Sequence, residues 1–562
     1  EYNFYDMNNR DNYVEIFDSL YGRRTLIDAM HNFYYLMIDP ITVDVLERLS
    51  MPTDFTRVML YCIGTLVDNT FQIDSSYMNS RIRSNEIIMA YLYKELATAW
   101  EKWSSGREEK FSIWERAIIN DIMTAQIVDP HSVLNVTLEA ETDNLVKLKG
   151  PTGMNEDHSF TLEKRAYHPT MTGIVAMNST PSGEVGIGRH LTLNANIEDA
   201  LGFVKVNKEE YDGTELASVG ELLQTFGPES ADIERVAMAM NQSKHLVPVA
   251  SRSPGLVSYD MERVIPYISN DFAFRAKKPG KVVEIKDSII IVQYNDGTYD
   301  DIDLAARPDK NVDGGFYVMN GMVAKCHAGQ TFKENDILAI DPKYISDKDM
   351  FGDPCAEVGC LARVVLEANG DVFEDSGYCT NAFARRMTTK ITRQKRVILS
   401  RFANIKYMAK VGQEVHANEP ILTFDDTEDE FSSQLLQSIA EEEEDDEAII
   451  ATGAPVISKT NGRIVDVYIY YTIPLDQMTP SMRKIVEDYD KKAKQRQKTL
   501  SKYIKPSDAN TRIKPAEMIE PDGQGKVKGV PVGDGVIIDF YIEYEDILSV
   551  GDKSSSLTRL GT

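Results

Sequence analysis

Val282-Val-Glu-Ile-Lys-Asp-Ser-Ile-Ile-Ile-Val-Gln-Tyr294, then Asn295-Asp296-Gly297, then Tyr299-Asp-Asp-Ile-Asp-Leu304 is the stretch that decides the fold. β-Branched, aromatic and other apolar residues run up to an Asn-Asp-Gly turn and resume beyond it, the pattern of a β-hairpin. A second strand signal lies near the end of the sequence. Val536, Ile538, Phe540, Ile542 and Tyr544 recur at every second position, which predicts a half-buried strand. The beginning has another texture: Leu26, Met30, Tyr34 and Ile38, and later Ile87, Tyr91, Leu96 and Trp100, recur at helical spacing. Helix first and strand later predict an α+β, multidomain chain.

The 562 residues suffice for about three or four domains. With 42% apolar and 27% charged residues, the composition is that of an ordinary globular protein. No apolar run approaches the ~20 residues of a membrane span, and no basic stretch followed by an apolar one directs secretion. The five cysteines (Cys62, Cys326, Cys355, Cys360, Cys379) are an odd, sparse set that fits a reducing interior. Cys355 and Cys360, with Cys326 and His327 nearby, lack a second pair at ligand spacing, so no zinc is expected.

A net charge of −27 argues against a protein that coats nucleic acid, but the sum hides segregation. Acid gathers in Asp425-Asp426, Glu428-Asp429-Glu430 and Glu441 to Glu447. Base gathers in Arg385, Arg386, Lys390, Arg393, Lys395, Arg396, Arg401, Lys406 and Lys410, and again from Arg483 to Lys505. Each basic run reads equally as a solvated face or as a polyanion contact. A short echo joins His327-Ala-Gly-Gln330 to Ile337-Leu338 with Val411-Gly412-Gln413 to Ile421-Leu422. Both place a Gly turn before a strand, which reads as structural.

No Walker loop, His-Glu-x-x-His, nucleophile elbow or dinucleotide fingerprint is present. Three weaker places remain. A helix beginning near Asp232 sets Arg235, Met238, Gln242 and His245 on one face; such a face suits a phosphate, and by pattern alone an amphipathic helix with its polar stripe in water also accounts for it. Glu374 and Asp375 are adjacent carboxylates that point to opposite sides of a strand, one available to a metal. Lys553 follows Gly551-Asp552 beyond the alternating strand, a point charge for phosphate or simply a solvated lysine.

Their order along the chain is informative. Lys164-Arg165-Ala-Tyr-His168-Pro169-Thr-Met-Thr-Gly173, Thr180-Pro181-Ser182-Gly183 and Leu191-Thr-Leu-Asn-Ala195 resemble the fork region of the β subunit of multi-subunit DNA-dependent RNA polymerases. Asn79-Ser-Arg81-Ile82-Arg83-Ser84 and Gly150-Pro151-Thr-Gly153 resemble segments upstream of that region. Asp232 to Pro248 resembles the family's Arg-x-x-Met-x-x-Asn-x-x-x-Gln helix, with His245 in place of Gln. Phe373-Glu374-Asp375-Ser376 and Val550-Gly551-Asp552-Lys553 resemble its Phe-Glu-Asp-Ala and Gly-Asp-Lys motifs. The blocks are co-linear and similarity between them is low, which is most like the split subunits of giant (jumbo) bacteriophages.

The resemblance implies a helical, lobe- or protrusion-like part over 1–128, fork loops and a nucleotide-facing helix over 129–260, and a double-psi β-barrel core over 261–384. It further implies a flap-like insertion with the charged runs over 385–535, and a return to the barrel over 536–562. It implies a transcribing nucleotidyltransferase, active only in a complex, in which a β′-like partner holds the main magnesium. Arg235 would reach the incoming triphosphate, Asn241 and His245 would border the RNA 3′ end, and Arg165 would line the RNA. Lys553 would contact phosphates near the 3′ end, with Asp375, beside Glu374, near a second magnesium. Further partners would be other β fragments, a promoter-recognition factor, DNA template and RNA, inside an infected bacterial cell, with no membrane. The family's N-terminal third and clamp-contacting part have no counterpart here, which implies either that separate polypeptides supply them or that the sequence is truncated. Ser182 replaces the fork glutamate, and Glu139 to Lys147 lacks the basic cluster of the rifampicin pocket, implying insensitivity to that drug. The alternative is a catalytically silent scaffold or interaction protein derived from such a subunit.

Overall fold

In this computed structural model the residues described are 40–53, 55–67, 81–82, 84–124, 133–148, 165–180, 182–204, 211, 213–224, 233–258, 260–311, 315–347, 349, 351–367, 370, 376–425, 448–450, 455–511, 513–519, 526–527, 530–531 and 534–556. The chain divides into two units, Glu1–Asp129 with Asn144–Ser218, and Pro130–Asp143 with Val219–Thr562.

The first unit carries helices α1 (Pro40–Arg48), α2 (Phe55–Val67), α3 (Ser84–Ser104) and α4 (Glu115–Thr124). A small antiparallel sheet follows, made of β1 (Leu145–Lys147), β2 (Val175–Ser179) and β3 (Gly188–Leu191) with β3 central. Met171, Ile174, Val175 and Val204 form its core, with Ile82 packed against them. The Arg81-Ile82 pair is stitched to the 201–203 segment: the Ile82 N–H donates to Gly202 O (2.8 Å) and Arg81 Nε to Leu201 O (2.8 Å). Arg48 and Arg81 both lie over the Phe203 ring, at 4.2 and 5.5 Å from its centroid. Arg189 is fully buried. A guanidinium is tolerated there because each of its nitrogens has a partner: Nε donates to Gly186 O (3.0 Å), Nη2 to Ala166 O (3.1 Å) and Nη1 to Met171 Sδ (2.8 Å).

The second unit contains α5 (Val136–Asp143), α6 (Val219–Leu222), α7 (Ile233–Lys244) and α8 (Met261–Ile268), then a run of strands. These are β4 (Ala273–Arg275), β5 (Gly280–Lys286), β6 (Ile289–Tyr294), β7 (Tyr299–Asp303), β8 (Arg307–Lys310), β9 (Tyr317–Asn320), β10 (Val323–Ala324), β11 (Thr331–Phe332), β12 (Ile337–Ile340), β13 (Ile345–Ser346) and β14 (Cys355–Ala356). After α9 (Asn381–Arg386) come β15 (Thr389–Ser400), β16 (Asn404–Met408), β17 (Glu414–Val415), β18 (Pro420–Asp425), β19 (Ala448–Ile450), β20 (Val456–Ile457) and β21 (Gly462–Tyr471). Helix α10 (Pro480–Leu500) precedes β22 (Glu517–Met518), β23 (Lys526–Val527), β24 (Val530–Pro531) and β25 (Gly535–Asp546).

Three long strands, β21, β25 and β15, dominate a sheet ordered β17-β21-β25-β15-β9-β8. β15 and β25 pair antiparallel over their whole length, from Thr389↔Asp546 to Ser400↔Gly535. The chain between them returns to the same sheet through β21, which pairs with the other edge of β25. Residues 385–535 and 536–562 therefore share one sheet and one apolar cluster, built from Val397, Leu399, Ile464, Ile469, Ile538 and Phe540 and closed by Met482 and Val486 of α10. The alternation at 536–544 predicted a strand wet on one face, yet Ile537, Asp539 and Tyr541 are buried too. As a central strand, β25 is covered on both sides.

The stretch 282–294 is two strands. It turns at Asp287-Ser288, where φ is +52° and +59°, the geometry of a two-residue type I′ loop. Neither residue is glycine, and the turn is held from outside: Gln495 Nε2 and Thr499 Oγ1 of α10 donate to the Asp287 carboxylate (3.0 and 2.7 Å). The Asn295-Asp296-Gly297 turn follows as expected, with Gly297 at φ +87°.

The echo between the 327–338 and 411–422 segments extends to backbone geometry. Gly329 and Gly412 take φ +89° and +90°, and Asn335 and Asn418 take +67° and +69°. Gln330 Oε1 accepts the His327 N–H (3.1 Å) as Gln413 Oε1 accepts that of Lys410 (3.2 Å). Each segment also clasps a second one in the same way. Gly329 and Gly412 donate to Val282 O and Ile464 O (2.8 and 2.7 Å), and Asn335 and Asn418 to Ala276 O and Ser458 O (2.8 Å each). Thus 276–282 corresponds to 458–464. In the first copy this segment comes before its partner and in the second it comes after, so the two copies are related by circular permutation.

Candidate functional site

Helix α7 buries Val236, Ala239, Met240 and Ser243, a stripe at helical spacing, and leaves Met238 and Asn241 exposed. Its C-terminal end is fixed by Asn135, which is 3% exposed. Asn135 Nδ2 donates to the carbonyls of Ser243 (3.0 Å), Lys244 (3.0 Å) and Leu246 (2.8 Å). Its Oδ1 meanwhile accepts the Leu138 N–H (2.9 Å). One side chain thus caps the end of α7 and the start of α5, satisfying groups that helix ends leave open.

Beyond α7 the chain is fastened to the start of β15. Thr389 Oγ1 donates to Pro248 O (2.6 Å), and the Ala250 and Ser251 N–H groups donate to Thr388 O (2.7 Å) and Arg386 O (3.3 Å). Thr389 faces Asp546 at the end of β25, from which residues 547–556 run on. Ser555 Oγ then donates to Gln242 Oε1 on α7 (2.9 Å) across 313 residues of sequence. Three distant segments, the α7 region, Arg385–Thr389 and Asp546–Ser556, meet at one end of the β15–β25 pair.

The Gly551-Asp552-Lys553 turn divides its labour. Gly551 sits at φ +97°, where a Cβ is strained. Asp552 Oδ2 accepts the Ser549 N–H (2.7 Å) and Oγ (3.2 Å). These two residues shape the turn, and Lys553 leaves it exposed to solvent. Arg385 and Arg386 are likewise exposed and have no ion pair among the described residues. Other cations of that run are engaged: Arg396 with Asp539 (2.7 Å), Lys406 with Asp425 (2.7 Å) and Lys390 with Glu543 (3.5 Å). Arg496 of α10 is tied to Asp303 (2.6 Å), while Lys491, Lys494 and Lys498 are exposed.

Of the residues expected at the site, Asn241, His245 and Lys553 are exposed, and the Gln242–Ser555 hydrogen bond joins the segments that carry them. Arg235 lies in α7 and its side chain is outside the described residues, as are Glu374 and Asp375. Arg165 belongs to the first unit, where Nη1 donates to Gly183 O (2.9 Å) and Val185 O (3.0 Å). Among the described residues no His, Cys, Asp or Glu group could hold a metal ion. Gln242 and Ser555 were missed as a pair, since nothing in a single sequence links positions so far apart. Asn135 had a local sign, a capping residue just before a helix.

Glu139 of α5 offers a pH test of this region. Its carboxylate accepts the N–H groups of Asn270 (2.6 Å) and Asp271 (2.9 Å) and the Ser269 hydroxyl (2.8 Å). Burial nevertheless raises its pKa to about 7. Between the ordinary carboxyl value and 7 the folded state binds the extra proton, so stability falls as pH rises through that window and levels off above it. The expected loss is about 3 kcal/mol, read from denaturation midpoints at pH 5 and 8. Glu139→Gln, which mimics the protonated acid, is expected to flatten the profile.

The sequence matches the family described as Bacteriophage RNA polymerase over residues 1–157. It is also similar to a DNA-directed RNA polymerase subunit beta from Desulfatibacillum aliphaticivorans, 29% identical over 132 residues, which is 23% of this chain and 10% of that protein. The chain thus spans about a tenth of the curated relative it matches. Together these findings make it an RNA polymerase-related protein. Asn241, His245 and Lys553 all lie beyond the family-matched residues.

Proposed function

We propose that this chain is a fragment of a β-type subunit of a multi-subunit DNA-dependent RNA polymerase, of the split, giant-phage kind. It contributes nucleotide, RNA 3′-end and hybrid contacts to an active site completed by a β′-like partner. The Gln242–Ser555 hydrogen bond carries this reading. It joins Ser555, two residues beyond Lys553, to the helix that bears Asn241 and leads into His245, which supports one shared site built from segments far apart in sequence. Phosphoryl transfer asks a protein chiefly for positioning and charge neutralisation, which exposed cations on a braced turn supply. Magnesium, held mainly by the partner in this reading, would neutralise the phosphates; Asp375, with Glu374, is assigned to the second ion. The fold assignment that goes with it is a double-psi barrel around the β15–β25 pair, with a flap-like insertion between them.

The test is a tagged pull-down from infected cells with a primed RNA-extension assay on the eluate. Recovery of a β′-like partner with magnesium-dependent extension supports the reading. A chain that comes down without such a partner and extends nothing leaves the scaffold alternative. A finer expectation concerns Gln242→Ala. Losing a net contribution of about 1 kcal/mol from one hydrogen bond should raise the KM for nucleotide about fivefold, with kcat less affected. Unchanged KM in that variant would remove Gln242 from the site.

A further inference from the structure

An open cleft of about 380 Å³ lies between the Met319–Lys343 part of the first repeat copy and the Gly412 turn of the second. Its walls carry three cations, Lys343, Lys390 and Arg463, and two carboxylates, Asp341 and Glu543. The carboxylates are occupied. Asp341 accepts the backbone N–H groups of Lys343 (2.9 Å) and Gly321 (3.1 Å), and burial raises its pKa. Glu543 pairs with Lys390 at 3.5 Å and faces Arg463 across the β21–β25 register.

The cations are under-used. The Lys343 ammonium donates to Met319 O, its one hydrogen bond among the described residues, although it carries three donors. Burial lowers its pKa, the mark of a charge that has lost water without a full set of partners. Arg463 spends Nε on Gly412 O (3.2 Å), leaving its Nη groups without a partner among the described residues. Three cations therefore surround one carboxylate not already capped by backbone, beside an apolar wall formed by Val411 and Val465.

We propose that this cleft binds a small phosphorylated ligand of nucleotide size, its phosphates among Lys343, Lys390 and Arg463 and its apolar part on Val411 and Val465. The volume falls within the range of small-ligand sites, and phosphate is the anion that a guanidinium fork and two ammonium groups satisfy together. The site lies on the face of the sheet lined by Arg463, Glu543 and Lys390, does not have Lys553 in its lining, and does not depend on the polymerase reading.

Calorimetric titration of the full chain with pyrophosphate, ATP and adenosine tests it. Pyrophosphate and ATP are expected to bind and adenosine to give no heat. Arg463→Ala and Lys343→Met should each weaken binding at least about tenfold, and Lys333→Ala, an exposed lysine outside the cleft lining, should leave pyrophosphate binding intact. If Lys343→Met fails to fold, Arg463→Ala decides, because that side chain is exposed. No binding of either phosphate probe, binding that survives Arg463→Ala, or binding lost with Lys333→Ala overturns the proposal.

Discussion

Lys553→Ala is expected to reduce RNA extension by the assembled complex about 100- to 1,000-fold, the usual effect of removing one charge-stabilising donor from a reacting phosphate. The neighbouring geometry makes the variant informative. Gly551 and Asp552 set the turn through a φ of +97° and the Ser549 hydrogen bonds, none of which involves the lysine side chain. Lys553 is exposed, so its removal should cost the fold little. Assembly and melting temperature should therefore match the parent while extension collapses, and Lys553→Arg should recover part of the rate. Full activity in Lys553→Ala, with the complex intact, would sink the proposed role and favour a scaffold.

Asp539→Ala is expected to destabilise the second unit by about 3–5 kcal/mol, read by denaturant unfolding. Asp539 is 1% exposed on the central strand β25. It meets its register partner Arg396 on β15 through two hydrogen bonds of 2.7 Å each. The pair raises the pKa of Arg396, so alanine leaves a cation half-buried in the sheet that positions the site. The cost comes from that orphaned charge rather than from a lost attraction. Accordingly Arg396→Leu with Asp539→Leu, which removes both charges, should lose much less than the single variant. A loss below about 1 kcal/mol in Asp539→Ala would show that water reaches the pair.

The helix over Ile87 to Trp100 and the later strands were legible from periodicity, and the 295–297 turn from its Asn-Asp-Gly; the helical spacing at Leu26 to Ile38 lies outside the described residues. The hairpin at Asp287-Ser288 was not, because its positive φ values are held by Gln495 and Thr499, some 200 residues away. Half of the internal repeat was visible as the Gly-Gln echo. Its other half, Ala276-Lys-Lys-Pro-Gly280-Lys-Val282 against Ser458-Lys-Thr-Asn-Gly462-Arg-Ile464, escaped notice because permutation reverses the order of the segments.

At the candidate site, the residue types that suit phosphate, Lys553 and the polar face of α7, could be named from local pattern and motif order. Their meeting could not. It depends on β15 and β25 pairing end to end and on Ser555 reaching Gln242. The sequence by itself determined which segments are helix or strand and which side chains carry charge, since propensity, periodicity and ionisation are local properties. Only the tertiary structure decided which charges are consumed in the sheet, as with Arg396, and which stay exposed, as with Lys553. That outcome depends on which strands become neighbours, and strand pairing is fixed by the burial of the whole sheet rather than by any one stretch of chain.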